Sequence, residues 1–351
     1  MTVPSRLVDF ERIPVVDVSA LLPHTHGDAE SQRAVAQELG RAARDVGFLY
    51  VSGHGIPPAL FDDLLAATRQ FFSLPYEEKM RVYIGKSTNH RGYVPEGEEM
   101  FSGGTRDKKE AFDLGLELPA DDPDYLLGNR LLGPNQWPEQ LDMAPVVMAF
   151  YEAVLQLGHV LLGGFAMALG ESPDIFASYV TKPPSQLRLI HYPEDLSAAD
   201  SVGIGAHTDY ELFTLLRPTK PGLEVRNGAG RWVDVPVLPD AFVVNIGDLF
   251  ETWTNGHFVA TTHRVRKVTE ERYSFPLFYN VDFDTLVEPL PQFLETGGPI
   301  MPSLRAGEHL FAQTVQSFGY LRDRLAEGEL SLPDGSLALS SFGRHGNAGR
   351  E

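Results

Sequence analysis

Beyond Pro183 the chain is a close succession of short β-type runs: QLRLIHY, IGAHTDYELFTLLRP, LEVRN, RWVDVPV, AFVVNIG, THRVRKV and RYSFPLFYN. Turn sequences such as Asn227-Gly228 separate them. Short strands in this rhythm point to a β-sandwich or barrel. The first half reads differently. Residues 12 to 22 predict a short strand and turn, and QRAVAQELGRAARDVG a helix that ends at Gly47 and feeds the strand FLYVSGHGI. A second helix is expected in PPALFDDLLAATRQFFSLPYEEKMRV, with proline in its first turn and a break at Pro75. From Gly85 to about Pro138 the chain is rich in Gly, Pro and Asp, and short strands at most are expected there. APVVMAFYEAVLQLGHVLLGGFAMALG reads as a long apolar helix packed on a sheet, and PSLRAGEHLFAQTVQSFGYLRDRL as one helix near the end. The last ten or so residues are expected to be disordered.

The chain has 351 residues, with 48 acidic and 29 basic side chains and a formal charge of -19. That balance argues against a nucleic-acid backbone or an anionic membrane as partner. The 43% hydrophobic content suits a globular core, and no repeat or obvious linker divides the chain. There is no cysteine, so thiolate ligands and disulfides are excluded, as suits a reducing compartment. The start, MTVPSRLVDFERIP, has no apolar signal-peptide core, and no window approaches the roughly 18 to 20 uninterrupted apolar residues of a membrane span. The expectation is a cytoplasmic protein.

Within AHTDYELFTLL an imidazole and a carboxylate stand two positions apart in an apolar, β-favouring run. On a strand, residues i and i+2 share a face, so His207 and Asp209 can converge on one ion. His263, at the head of THRVRKV, supplies a candidate third ligand. Two imidazoles and one carboxylate on one face of an octahedral ion suit non-haem Fe(II), with zinc as the chemical competitor. Hydrogen-bonded core residues are the plain alternative, and spacing alone leaves it open. The other His-x-Asp pair, His26-Gly27-Asp28, lies in a polar loop and reads as surface.

Several blocks in order, RIPVVDVSAL, GFLYVSGHGIP, FFSLPYEEKM, RGYVPEGEE, GAHTDYELFTLL, VVNIGDLFETWTNGHFVATTHRV and RYSFPLFYN, resemble the Fe(II)- and 2-oxoglutarate-dependent dioxygenases of the isopenicillin N synthase type. The resemblance runs from about residue 12 to about residue 325. It implies an α+β fold: a double-stranded β-helix (jelly-roll) core at 184–285, a mostly helical region at 1–183 and a C-terminal helix and tail at 286–351, together one unit. It also implies Fe(II), 2-oxoglutarate and O₂ as cofactors, with His207, Asp209 and His263 on the iron. The family's Arg-x-Ser motif stands here as Arg272-Tyr273-Ser274, and it implies a clamp on the far carboxylate of 2-oxoglutarate, a role that a guanidinium fork and a hydroxyl suit. Tyr192 matches a tyrosine that helps hold the same group. The family's asparagine two positions earlier is Ile190 here, and its neighbouring tyrosine is His191, read as structural. His54 and the Asn255-Gly256 turn also read as structural.

The implied reaction couples oxidative decarboxylation of 2-oxoglutarate to hydroxylation, or a related C–H oxidation, of a small molecule. Tyr210, Phe278 and Arg188 are expected at the substrate, and Arg91, Tyr93 and Phe101 around the mouth. An inward Arg188 would favour an acidic substrate. Three alternatives accompany this reading: an oxidase that needs no 2-oxoglutarate, an ethylene-forming enzyme, and a non-catalytic binding module on the same scaffold.

Overall fold

The computed structural model describes residues 7–25, 27–99, 108–194, 202–266, 269–294, 299–333 and 336. Among these, eight strands form one large sheet. Their spatial order is β1 (Val15–Asp17), β2 (Phe48–Ser52), β10 (Phe242–Ile246), β7 (Phe213–Pro218), β12 (Arg272–Tyr279), β5 (Gln186–Tyr192), β4 (Glu110–Gly115) and β3 (Gly92–Val94). A smaller sheet runs β6 (Val202–His207), β11 (His263–Arg266), β8 (Leu223–Arg226) and β9 (Trp232–Asp234). Every pair is antiparallel except β1 with β2.

Side-chain alternation assigns the two faces of the large sheet. Leu49, Val51, Leu187, Leu189, Leu215 and Val244 join a core shared with helix residues Leu39, Phe71, Phe150 and Phe165. Their neighbours Phe48, Tyr50, Ile190, Tyr192, Leu216 and Val243 turn the other way and pack with Ile204, Leu223, Val225 and Val265 of the small sheet. The large sheet is therefore covered twice, by helices outside and by the small sheet inside. This is the jelly-roll arrangement in which two sheets enclose a cavity.

The N-terminal region does more than wrap this core in helices. Its β1 and β2 extend one edge through the β2–β10 pairing, and its β4 and β3 extend the other through β4–β5. β4 lies in the Gly/Pro-rich stretch and is buried at all six positions.

Two further readings are corrected by the structure. IGAHTDYELFTLLRP is not one strand: β6 ends at His207, residues 208–212 cross over, and β7 begins at Phe213 in the other sheet. The C-terminal helix is two, Ala306–Ser317 and Gly319–Ala326, separated by Phe318 in extended conformation (φ -96°, ψ 129°). Phe318 forms a β-bridge with Glu99 and packs edge-on against His90, so its tertiary contacts override helix continuation.

Helix Ala144–Ala168 is long and apolar enough, by length and composition, to cross a membrane. Here Val147, Phe150, Val154, Leu157, Leu161 and Phe165 are buried in the core of the outer sheet face. Gly158 allows its close approach: a Cβ there would lie 2.3 Å from the Tyr279 ring. Helix Ala29–Asp45 starts at Asp28, whose carboxylate accepts from the Ser31 N–H at 2.7 Å. That gives Asp28 a capping role, while His26 lies outside the described residues.

Candidate active site

The crossover after β6 creates the site. His207 at the end of β6 and His263 at the start of β11 are cross-strand partners, with ring centroids 4.3 Å apart. Asp209 lies two residues into the crossover, where its backbone C=O accepts from Asp248 N–H at 2.8 Å. Its Oδ1 stands 3.6 Å from His207 Nε2 and 3.5 Å from His263 Nε2. One donor atom from each residue lies within 4.8 Å of the other two, a spacing that one ion can bridge.

Hydrogen bonds orient all three. His207 Nδ1 donates to Gly205 O at 2.8 Å and His263 Nδ1 to Thr261 O at 3.1 Å. A carbonyl can only accept, so each Nδ1 carries a proton, and each ring turns Nε2 toward Asp209, the nitrogen that can bind a metal once it is unprotonated. Asp209 Oδ2 accepts from Asn245 Nδ2 at 2.8 Å and from the Thr214 hydroxyl, which leaves Oδ1 for the shared point. Burial and the neighbouring His263 push His207 down to about 4. Burial alone would push the Asp209 carboxyl up, but His263, His207 and Asn245 outweigh it and hold the group well below the usual carboxylate range.

Farther along the same cavity, register brings a second group together. Arg272 on β12 pairs with Tyr192 on β5, and Ser274 with Ile190, so Arg272, Ser274 and Tyr192 share one inner face. Arg272 is 1% exposed. Its Nε donates to Lys220 O at 3.1 Å, and its Cζ lies 4.8 Å from the Tyr192 ring centroid. Nη1 has no hydrogen-bond partner among the described residues, and burial pushes the guanidinium pKa down. A buried cation without a counterion is costly, so the position calls for an anion from outside the chain.

Tyr210, Phe278 and Arg188 line this cavity with the triad. Arg91 and Tyr93 do not, which corrects their expected place at the mouth. Arg91 is 1% exposed and donates to Leu131 O at 2.6 Å and His90 O at 3.0 Å, so it ties loops together inside the protein. Tyr93 is buried against Phe71 and donates to Glu110 Oε2 at 2.7 Å. Phe101 lies outside the described residues. His191 has the structural place expected of it, between Glu110 and Glu271 and stacked on Tyr273. His54 is likewise structural: its Nδ1 accepts from Ile56 N–H, and its Nε2 contacts Asp240 O. Sequence reasoning missed Asn245, Thr214 and Lys109, all on the cavity wall. A polar residue inside the apolar run AFVVNIG was a usable sign for Asn245; nothing in KKEAF marks Lys109.

Comparison with known proteins agrees with this geometry. The model of the 2OG-Fe(II) oxygenase superfamily matches residues 183–281, and that of the non-haem dioxygenase N-terminal region matches residues 13–140. A homoarginine 6-hydroxylase of Glycine max is 36% identical over 327 residues, covering 88% of this chain and 98% of the relative. The chain belongs to the 2OG-Fe(II) oxygenase superfamily. A second relative of this oxygenase, the 2-oxoglutarate-dependent dioxygenase tropC of Talaromyces stipitatus, is 35% identical, covering 89% of the chain and 98% of the relative. A full-length Neurospora crassa enzyme solved with α-ketoglutarate and thymine superposes with a TM-score of 0.74 at 26% identity, covering 92% of this chain and 99% of that one. The oxygenase couples oxidative decarboxylation of 2-oxoglutarate to oxidation of a small molecule, with Fe(II) and O₂. The residues present fit those cofactors: two oriented imidazoles and a carboxylate for the metal, and an uncompensated buried guanidinium for a carboxylate.

Proposed function

We propose that His207, Asp209 and His263 hold Fe(II), that Arg272, Ser274 and Tyr192 hold the far carboxylate of 2-oxoglutarate, and that a small molecule is hydroxylated beside Arg188, Tyr210 and Phe278. The observation that carries this reading is Arg272, buried with Nη1 unpartnered among the described residues and on the same cavity wall as the triad. When bound, iron and cosubstrate supply the oxidation: O₂ is consumed, 2-oxoglutarate becomes succinate and CO₂, and one oxygen atom enters the substrate. The chain's own residues prepare that event. Gly205 and Thr261 fix the imidazole tautomers, while Asn245 and Thr214 keep one carboxylate oxygen of Asp209 turned inward. Arg272 and Ser274 anchor the cosubstrate at its far end, and Ile190, Leu216 and Val265 exclude water around it.

Calorimetry tests the assignment with Mn(II) as a redox-silent metal. Arg272→Leu should weaken 2-oxoglutarate binding by about 100-fold or more, since it removes one partner of a buried charge pair, while Mn(II) binding stays near wild type. His207→Ala should abolish tight metal binding. Wild-type 2-oxoglutarate affinity in Arg272→Leu, or substrate turnover without succinate, would overturn the reading.

A further inference from the structure

The relatives act on dissimilar molecules by name, so substrate choice has to be read from this cavity. Among the described residues lining it, the charged groups besides Asp209 are Arg272, Lys109 and Arg188, all cations. A divalent metal, Asp209, Arg272 and dianionic 2-oxoglutarate balance one another. Lys109 and Arg188 remain as a charged wall on the substrate side.

That wall is built and braced. Arg188 Nε donates to Asp113 Oδ1 at 2.8 Å, and Nη2 makes a 2.5 Å ion-pair contact with Glu99 Oε1. Lys109 Nζ pairs with the other oxygen of Glu99. Phe318 packs on the guanidinium, with Arg188 Cζ 5.6 Å from its ring centroid. All four charged residues are buried. Glu99 and Asp113 pair with the cations and do not line the cavity, so among the described residues the four charges sum to zero while the cations are the members that line it. Groups that line the cavity can touch a ligand there, and those that do not act on it only at longer range, where Coulomb energy is weaker. Stability does not account for the cluster, because buried ion pairs are often matched or bettered by apolar residues of similar volume. Around it the lining is apolar, with Ile204, Leu223, Val265 and Phe278.

We propose that Lys109 and Arg188 orient the substrate, and that it is a small apolar molecule carrying a carboxylate, which this wall binds while rejecting guanidinium and ammonium compounds. The inference rests on the site assignment made under Proposed function. A side chain that ends in a guanidinium is disfavoured against this wall. Such a group would meet two cations here, and Asp209 is the one carboxylate among the described lining residues.

The test uses full-length protein loaded with Mn(II) and 2-oxoglutarate without O₂. Binding of phenylacetate, cinnamate and hexanoate is measured by calorimetry, each beside its amide and a guanidine of matched size. At least one acid should bind about tenfold or more tighter than its amide, and its guanidine should not bind, given the cost of like charges in contact. Lys109→Met should bring acid and amide to about equal affinity, as the lost charge contact implies. Arg188→Gln paired with Asp113→Asn should do the same, and this pair removes one charge of each sign so that no carboxylate is stranded. No acid binding after successful loading, a guanidine binding best, or an acid preference that survives both variants would each overturn the proposal. Failed loading of wild type with Mn(II) and 2-oxoglutarate would instead overturn the site assignment, and this inference with it.

Discussion

Single side chains decide how the metal site works, and Asn245 shows how much one amide can hold. Its Nδ2 binds the Asp209 oxygen that faces away from the imidazoles. Asn245→Leu keeps the size but removes the donor, and Mn(II) affinity should fall about 10- to 100-fold, as for other partners that orient a ligand. Titration of Mn(II) against the folded variant checks this. Arg91 makes the opposite prediction. Arg91→Ala would leave the Leu131 and His90 carbonyls unpaired and should destabilise the fold by about 2–4 kcal/mol, with 2-oxoglutarate affinity unchanged; urea unfolding and calorimetry separate the two effects. Legibility at this scale followed chemistry. His207, Asp209 and His263 could be proposed from their chemistry on β-type runs, with hydrogen-bonded core residues as the open alternative, whereas Arg272 was marked by the family's Arg-x-Ser motif and not by its strand. Arg91 was misplaced because an arginine in a Gly- and Pro-rich stretch looks like surface, and only the fold brings the two carbonyls to it. Lys109 was invisible because its meaning depends on Glu99 and Arg188, the latter 79 positions away in sequence.

At the level of elements, the existence of strands was clear from the sequence and their sheet membership was not. The large sheet is buried on both faces, so its strands read as continuous apolar runs and alternation gives no bearing on which face meets which partner. The crossover at 208–212 carries no glycine or proline to mark it, and therefore looked like strand. Backbone bonds fix it from both sides: Leu212 N–H donates to Tyr279 O at 3.1 Å, and Gly247 N–H to Leu212 O at 2.8 Å. Tyr279 is held in turn by a stack on Phe213 and a 2.6 Å hydrogen bond with His159. Gly158→Ala would press on that ring. Helix propensity favours the alanine by about 1 kcal/mol, but overpacking against an anchored ring should cost about 1–3 kcal/mol. The variant should therefore be no more stable than wild type in urea, and less stable if the ring cannot shift.

Across the whole molecule, one sheet runs through the family's two matched regions, since β2 pairs with β10 and β4 with β5. Unfolding should be correspondingly cooperative, and acid should reach it through buried carboxylates. Burial would push Glu99 up, but Arg188 and Lys109 outweigh it and hold the group down at about 2 against an ordinary 4.5. A depressed folded-state pKa adds stability above the ordinary value, and that contribution is lost as pH falls toward the folded value. Glu99→Gln should cost about 3–5 kcal/mol at pH 7, the penalty for leaving buried charges unpaired. The gap between wild type and variant should narrow steadily from pH 4.5 to about 2, which denaturant titrations at stepped pH would follow.

Phe318 interrupts the terminal helices, bridges Glu99 and lies against the Arg188 guanidinium. Among the described residues this C-terminal segment thus leans on the wall proposed to choose the substrate, and Phe318 is not among the residues that line the cavity with His207, Asp209 and His263. Evolution or an engineer could alter the enzyme's diet by editing that tail, leaving its oxidative engine as it stands.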